Sequence, residues 1–121
     1  MEWAKQTSSI NAIDISFEAI KNINSYGNYS YLFSIVMNAE SLAFKDNQFD
    51  IVIGNGILHH LDLNNAYREI SRVLSPNGCA IFIEPLGHNP FINLFRSLTP
   101  KARSRDEHPL LLKDIQLANN Y

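Results

Sequence analysis

The sequence predicts an α/β domain built on a largely parallel sheet, and three observations predict it. Strand-like apolar runs alternate with helix-like periodic segments at the lengths of βαβ units, whose crossovers are nearly always right-handed. The run Phe49–Ile53 carries the β-branched residues of a strand buried on both faces, the kind found inside parallel sheets. Polar residues also collect where strands end. Asp14, Asn38 and Asn55 follow successive apolar runs, and the carboxyl ends of parallel strands lie on one rim, where open α/β sheets hold their ligands.

Taken in order, residues 1–9 are polar with one tryptophan and read as a helix tail or a frayed terminus. Ile10–Ile15 is the first strand. Ser16 is a good N-cap for a helix in which Phe17, Ile20 and Ile23 recur at helical spacing up to Tyr26, with Gly27 as its stop. Tyr31–Met37 is the second strand. Asn38–Asp46 is a loop, and Asp46-Asn47 gives it turn chemistry. The strand Phe49–Ile53 then breaks at Gly54-Asn55-Gly56, where the absence of Cβ atoms permits a tight turn or a close approach. Leu63–Leu74 is the clearest helix: Ala66, Ile70, Val73 and Leu74 share one face, Arg68, Glu69 and Arg72 face water, and Asp62 or Asn64 caps it. Ser75-Pro76-Asn77-Gly78 suits a turn. Cys79–Ile83 is a fourth strand ending at Glu84-Pro85, with Cys79 as a small buried hydrophobe. Asn89-Pro90 starts a helix with an apolar stripe of Phe91, Leu94, Phe95 and Leu98 that stops at Thr99-Pro100. A basic group follows, Arg96, Lys101, Arg103 and Arg105, and a last helical piece runs from about Leu110 to Tyr121.

Composition bounds the function. At 121 residues the chain is one domain, and 45% hydrophobic with 18% charged residues is the balance of a globular protein. A net charge of −2 gives no reason to expect nucleic acid or an anionic membrane as partner. The single cysteine cannot form an internal disulfide, the start lacks the shape of a signal peptide, and no apolar run is long enough to cross a bilayer. A cytoplasmic protein without stable membrane insertion is the expectation. The four histidines do not fall at metal-ligand spacings, so no metal site is expected.

Three groups of residues offer chemistry. Asp14 at a strand's carboxyl end suits both hydroxyls of a ribose, and equally the capping of the following helix. Asn38-Ala39-Glu40 offers an amide and backbone N–H groups to an adenine edge, or is a plain polar loop. Asn55-Gly56 with His59-His60 is either a ligand loop or a turn with two surface histidines. A histidine titrates near neutrality and is suited to removing a proton from a hydroxyl or carbon acid, so His59 and His60 are the catalytic candidates, with His88 further off.

From Asn11 to about Leu86 the chain resembles the class I S-adenosylmethionine-dependent methyltransferases. The matching motifs are Ala12-Ile13-Asp14-Ile15-Ser16, then Asn38-Ala39-Glu40-Ser41-Leu42-Ala43-Phe44, then Asp46-Asn47-Gln48-Phe49-Asp50-Ile51-Val52 leading to Leu58-His59-His60-Leu61. Arg68-Glu69-Ile70-Ser71-Arg72-Val73-Leu74-Ser75-Pro76-Asn77-Gly78 completes them. The resemblance implies an incomplete Rossmann-like sheet of about four strands, with residues 1–86 as a partial methyltransferase core and 87–121 as a helical lid or insert of the same domain. It implies S-adenosyl-L-methionine as cofactor and a small-molecule methyl acceptor as partner. Asp14 would hold the ribose diol, Ile15 would pack on the adenine, and Asn38, Ala39 and Glu40 would lie at its edge. Asn55 and Gly56 would face the amino-acid end of the cofactor, with His59 and His60 where donor and acceptor meet. The family more often has aspartate at Asn38. The family's first strand and Gly-x-Gly loop are expected before Asp14, yet the thirteen residues preceding it contain no glycine. Without that strand, the strands at Ile10–Ile15 and Phe49–Ile53 should either keep unpaired inner edges or pair with each other. The C-terminus also stops before the family's last antiparallel pair. The expectation is a fragment, a truncated gene product or a degenerate paralogue.

The alternative from another class is a non-catalytic remnant that serves as an interaction or oligomerisation piece, which the missing glycine loop favours. A nicotinamide-dependent dehydrogenase has little support without Gly-x-Gly-x-x-Gly at a strand–helix turn.

Overall fold

In the computed structural model the described residues are 9–27, 29–87, 90, 91, 94, 98 and 109–121. They form four strands in two parallel pairs, with helices between them, in two compact units, residues 1–43 and 44–121. Each unit is taken by itself.

In the first unit, β1 (Ile10–Asp14) leads into α1 (Phe17–Ser25) and then β2 (Leu32–Val36). The Ser16 hydroxyl accepts from the Ala19 N–H at 3.3 Å, the N-cap its residue type predicts. Gly27, at φ +146°, follows the C-cap Tyr26 in a conformation that side-chain-bearing residues rarely adopt. β1 and β2 pair in parallel from Ile10↔Leu32 to Asp14↔Val36. Ile20 of α1 is buried, and the Ser34 hydroxyl of β2 bonds the Asn24 side chain of α1.

In the second unit, β3 (Phe49–Asn55) passes through a 3₁₀ turn (Leu58–His60) into α2 (Leu63–Val73), and β4 (Leu74–Ile83) lies parallel to β3. Of the two possible caps for α2 the fold uses Asp62, whose Oδ1 accepts from the Asn65 N–H at 3.0 Å. Asn47, at φ 56°, makes the turn ahead of β3, a left-handed position that asparagine tolerates. The apolar face of α2 closes the core: Leu63, Ala66 and Tyr67 pack with Leu58 and Leu110, and Leu61, Ile70, Phe82 and Leu117 surround them. Leu110 enters through a parallel bridge to Leu86 and precedes α3 (Leu112–Leu117), which is shorter than the helix predicted from Leu110 to Tyr121 and ends in a 3₁₀ turn at Ala118–Asn120.

Three expectations are corrected. β3 is not buried on both faces. Val52 and Gly54 turn inward, whereas Ile51, Ile53 and Asn55 are exposed beside Cys79, Ile81 and Ile83 of β4. Cys79 is therefore exposed rather than buried, because period-two alternation puts it on the outer face of the pair. The predicted turn Ser75-Pro76-Asn77-Gly78 lies within the span of β4. It is the looped-out part of a register shift, since the pairing steps from Phe49↔Leu74 to Ile51↔Cys79.

Among the described residues β1 pairs only with β2, and β3 only with β4. Pro90, Phe91, Leu94 and Leu98 are helical, as the Asn89-Pro90 start predicts, and Phe91, Leu94 and Leu98 are exposed. The rest of that helix, with Phe95, and the basic group Arg96, Lys101, Arg103 and Arg105, lies outside the described residues, as do His88 and Trp3.

Candidate functional site

Strand register assembles the candidates of the first unit. Because β1 and β2 run parallel, their carboxyl ends are neighbours: Asp14 pairs with Val36, and the Met37 N–H donates to the Asp14 carbonyl at 3.0 Å. Asp14 thus ends β1 beside the end of β2, and Asn38 follows two residues after Val36. Asp14 Oδ1 accepts from the Ser16 N–H at 2.7 Å, so one oxygen of this carboxylate is engaged at the start of α1. Ile15 is 74% exposed, an apolar side chain standing free beside that carboxylate. Asn38 is exposed. Its Oδ1 accepts from the Glu40 N–H at 2.9 Å and its carbonyl from the Ser41 N–H at 3.1 Å, which makes Asn38–Ser41 a tight turn with Ala39 and Glu40 at its crest. With Oδ1 committed, the Asn38 side chain presents its NH₂ outward as a donor.

The second unit assembles the others at the matching ends of β3 and β4. Asn55 pairs with Ile83, and the Gly56 N–H donates to the Ile83 carbonyl at 2.8 Å. Asn55 is exposed, and Gly56 sits at φ +64°. A Cβ there would meet only His59 Cε1 at 3.9 Å, so the space around Gly56 is open and the glycine is required by backbone conformation rather than by crowding. The two histidines part company. His60 is exposed, with its ring centroid 4.0 Å from that of His59. His59 is buried, and its Nδ1 lies 2.7 Å from Glu84 Oε2.

Glu84 is the residue that sequence reasoning missed. The sequence marks it only as the end of a strand, yet its side chain is only 4% exposed and its other oxygen, Oε1, accepts from both the Ile57 and Leu58 N–H groups at 2.8 Å. A signal was present: an acid closing a parallel strand is what singled out Asp14. Glu84 also borders a cavity of about 760 Å³ on the α2 side of the pair, lined by Tyr67, Ile70, Leu74, Ala80 and Phe82 among others. There the Tyr67 hydroxyl donates to the Asp114 carbonyl at 3.1 Å. Burial first, then the negative charges of Asp114 and Glu84, push its phenol above the ordinary tyrosine range.

No group of three or more His, Cys, Asp or Glu side chains among the described residues is arranged to hold a metal ion, and no described helix is long and apolar enough to cross a membrane. The arrangement thus offers a carboxylate oxygen and an amide at one strand-end rim, and an open glycine turn with a fixed histidine at another.

The comparisons with known proteins give the family and the fold. The chain is 34% identical over 73 residues to the ubiquinone/menaquinone biosynthesis C-methyltransferase UbiE of Pseudoalteromonas translucida, a match covering 60% of this chain and 28% of the relative. It is 35% identical over 91 residues to the uncharacterized protein YafE of Escherichia coli, covering 70% of this chain and 44% of that one. It therefore spans less than half the length of either relative. Its fold is similar to that of an S-adenosylmethionine-dependent methyltransferase from Methanosarcina mazei, with a TM-score of 0.74 at 24% identity over 97% of this chain and 69% of that chain. The family described as methyltransferase domain matches residues 1–82. With 82 of its 121 residues so matched, the chain belongs to the class I S-adenosylmethionine-dependent methyltransferase domain family and carries part of that family's Rossmann-like fold.

Proposed function

We propose that this chain carries the adenosyl-binding and acceptor-facing part of an S-adenosyl-L-methionine-dependent enzyme that methylates a small molecule. One observation supports the reading: the parallel β1–β2 register pairs Asp14 with Val36, and Asn38 follows two residues beyond that strand end. The second Asp14 oxygen accepts from the ribose hydroxyls, Ile15 covers one face of the adenine, and the Asn38 NH₂ with the Ala39–Glu40 backbone reads its edge. Asn55 and Gly56 provide an amide and an open backbone turn for the amino-acid end. When bound, the cofactor supplies an electrophilic methyl group on a sulfonium. What is left for the protein is to align the acceptor, exclude water and take up a proton, the last falling to His59 or His60.

A second reading has an observation of its own. The outer face of the β3–β4 pair exposes Ile51, Ile53, Ile81 and Ile83, a surface suited to an interaction or oligomerisation piece without catalysis. Isothermal titration calorimetry with S-adenosylmethionine and S-adenosylhomocysteine separates the two. The methyltransferase reading expects binding of both. Asp14→Asn should weaken it on the order of tenfold to a hundredfold, the worth of a charge-assisted hydrogen bond. Absence of binding to either compound overturns the donor reading and leaves the second.

A further inference from the structure

The roles assigned to the strand ends leave one buried titratable group unused, Glu84. Its carboxylate has no free face. Oε1 takes the Ile57 and Leu58 N–H groups at 2.8 Å, and Oε2 faces His59 Nδ1 at 2.7 Å, with 4% of the glutamate side chain and 9% of the histidine side chain exposed. Two backbone donors on one oxygen hold this carboxyl as an acceptor. With the carboxyl ionised, Oε2 is an acceptor as well, and the proton between it and the ring then lies on His59 Nδ1.

We propose that Glu84 is a positioning residue for His59. It fixes the ring in the Nδ1–H tautomer and leaves Nε2 as a hydrogen-bond acceptor for a hydroxyl or other donor on the bound small molecule. The same carboxylate clamps the first two N–H groups of the segment that joins Gly56 to α2, so a single anion sets both the turn and the tautomer. Among the described residues, exposed His60 has a ring contact with His59 and no carboxylate to choose its tautomer. Among the described residues, the titratable groups facing this pair are the His60 ring and, through the field of Glu84, the Tyr67 phenol. The assignment deepens the small-molecule methyltransferase reading and selects His59 over His60. Its test needs neither donor nor acceptor, so the two readings fail separately.

The test is the imidazole ¹⁵N spectrum of the intact chain labelled in histidine, recorded at about pH 9, well above the ordinary imidazole range. For His59 the expected result is a protonated Nδ1 and an unprotonated Nε2 as a single dominant tautomer, while His60 shows the averaged signal of a free ring. A dominant Nε2–H tautomer at His59, or averaging like that of His60, overturns the proposal. Glu84→Gln provides the second readout. Its amide oxygen can keep the Ile57 and Leu58 N–H groups only by turning its NH₂ toward His59, which should invert the tautomer to Nε2–H. Glu84→Asp keeps a carboxylate and should retain Nδ1–H. An unchanged His59 signal in a folded Glu84→Gln protein shows that Glu84 does not choose the tautomer. Should Glu84→Gln fail to fold, the wild-type and Glu84→Asp spectra decide.

Discussion

Tyr67 joins packing to charge within one side chain. Its ring belongs to the core cluster with Leu58, Leu63, Ala66 and Leu110, while its hydroxyl reaches the Asp114 carbonyl and lies in the field of Asp114 and Glu84. A phenol raised above its ordinary value of 10.0 holds its proton more tightly in the fold than in the unfolded chain. The sign follows: the contribution is fully present below the unfolded value and is lost as pH rises through the folded one. Denaturation midpoints measured between about pH 8 and about pH 11 should fall more steeply for the wild type than for Tyr67→Phe. Equal slopes would remove the role given to this hydroxyl. Arg72 shows a different use of charge. Its guanidinium bonds Glu69, Asp46 and the Phe44 carbonyl, tying the approach to β3 onto α2, and these acceptors raise its already high pKa further. At this scale the sequence was readable where a side chain acts on its own neighbours. Ser16 caps α1, one of the two candidates for α2, Asp62, caps that helix, and Asp14 turns to the Ser16 N–H. It was not readable for Glu84, whose partners lie 25 to 27 residues earlier.

Among elements, β3 and the 3₁₀ turn after it meet β4 at Gly54. A Cβ on this glycine would lie 2.4 Å from the Phe82 ring and 2.8 Å from Ile57 Cγ2, so β3 lies against this strand and turn only because the position has no side chain. Phe82 is packed against the Leu58–Leu110 cluster and has limited room to retreat. Gly54→Ala should therefore cost about 1–3 kcal/mol of stability, the usual penalty for overpacking. Urea denaturation checks it, and a change near zero would mean that the ring swings aside. The glycine was legible as a close-approach residue from the apolar run it interrupts, but the object approached was not. Cys79 and the Ser75–Gly78 segment mark the same boundary. Their residue types suggest a buried cysteine and a turn, whereas pairing register decides which face of β4 points outward and where the strand bulges.

For the molecule as a whole, the candidate residues divide between the two compact units. Asp14, Ile15, Asn38, Ala39 and Glu40 belong to the first, and Asn55, Gly56, His59 and His60 to the second. A ligand that binds the native chain and not the unfolded one raises its melting temperature by mass action. S-adenosylhomocysteine at about a hundred times its dissociation constant should add about 2.7 kcal/mol. Calorimetric melting with and without the compound measures this, and an unchanged midpoint would count against donor binding by this chain. By itself the sequence determined the alternation of strands and helices, the helix caps and the acids and amides at strand ends, because these follow from periodicity and from contacts within a few residues. Only the tertiary structure decided that His59 is buried and partnered while His60 is exposed, and that Glu84 belongs with them. The parallel crossover from β3 through α2 to β4 brings residues 25 positions apart to 2.7 Å, a closure that no local pattern encodes.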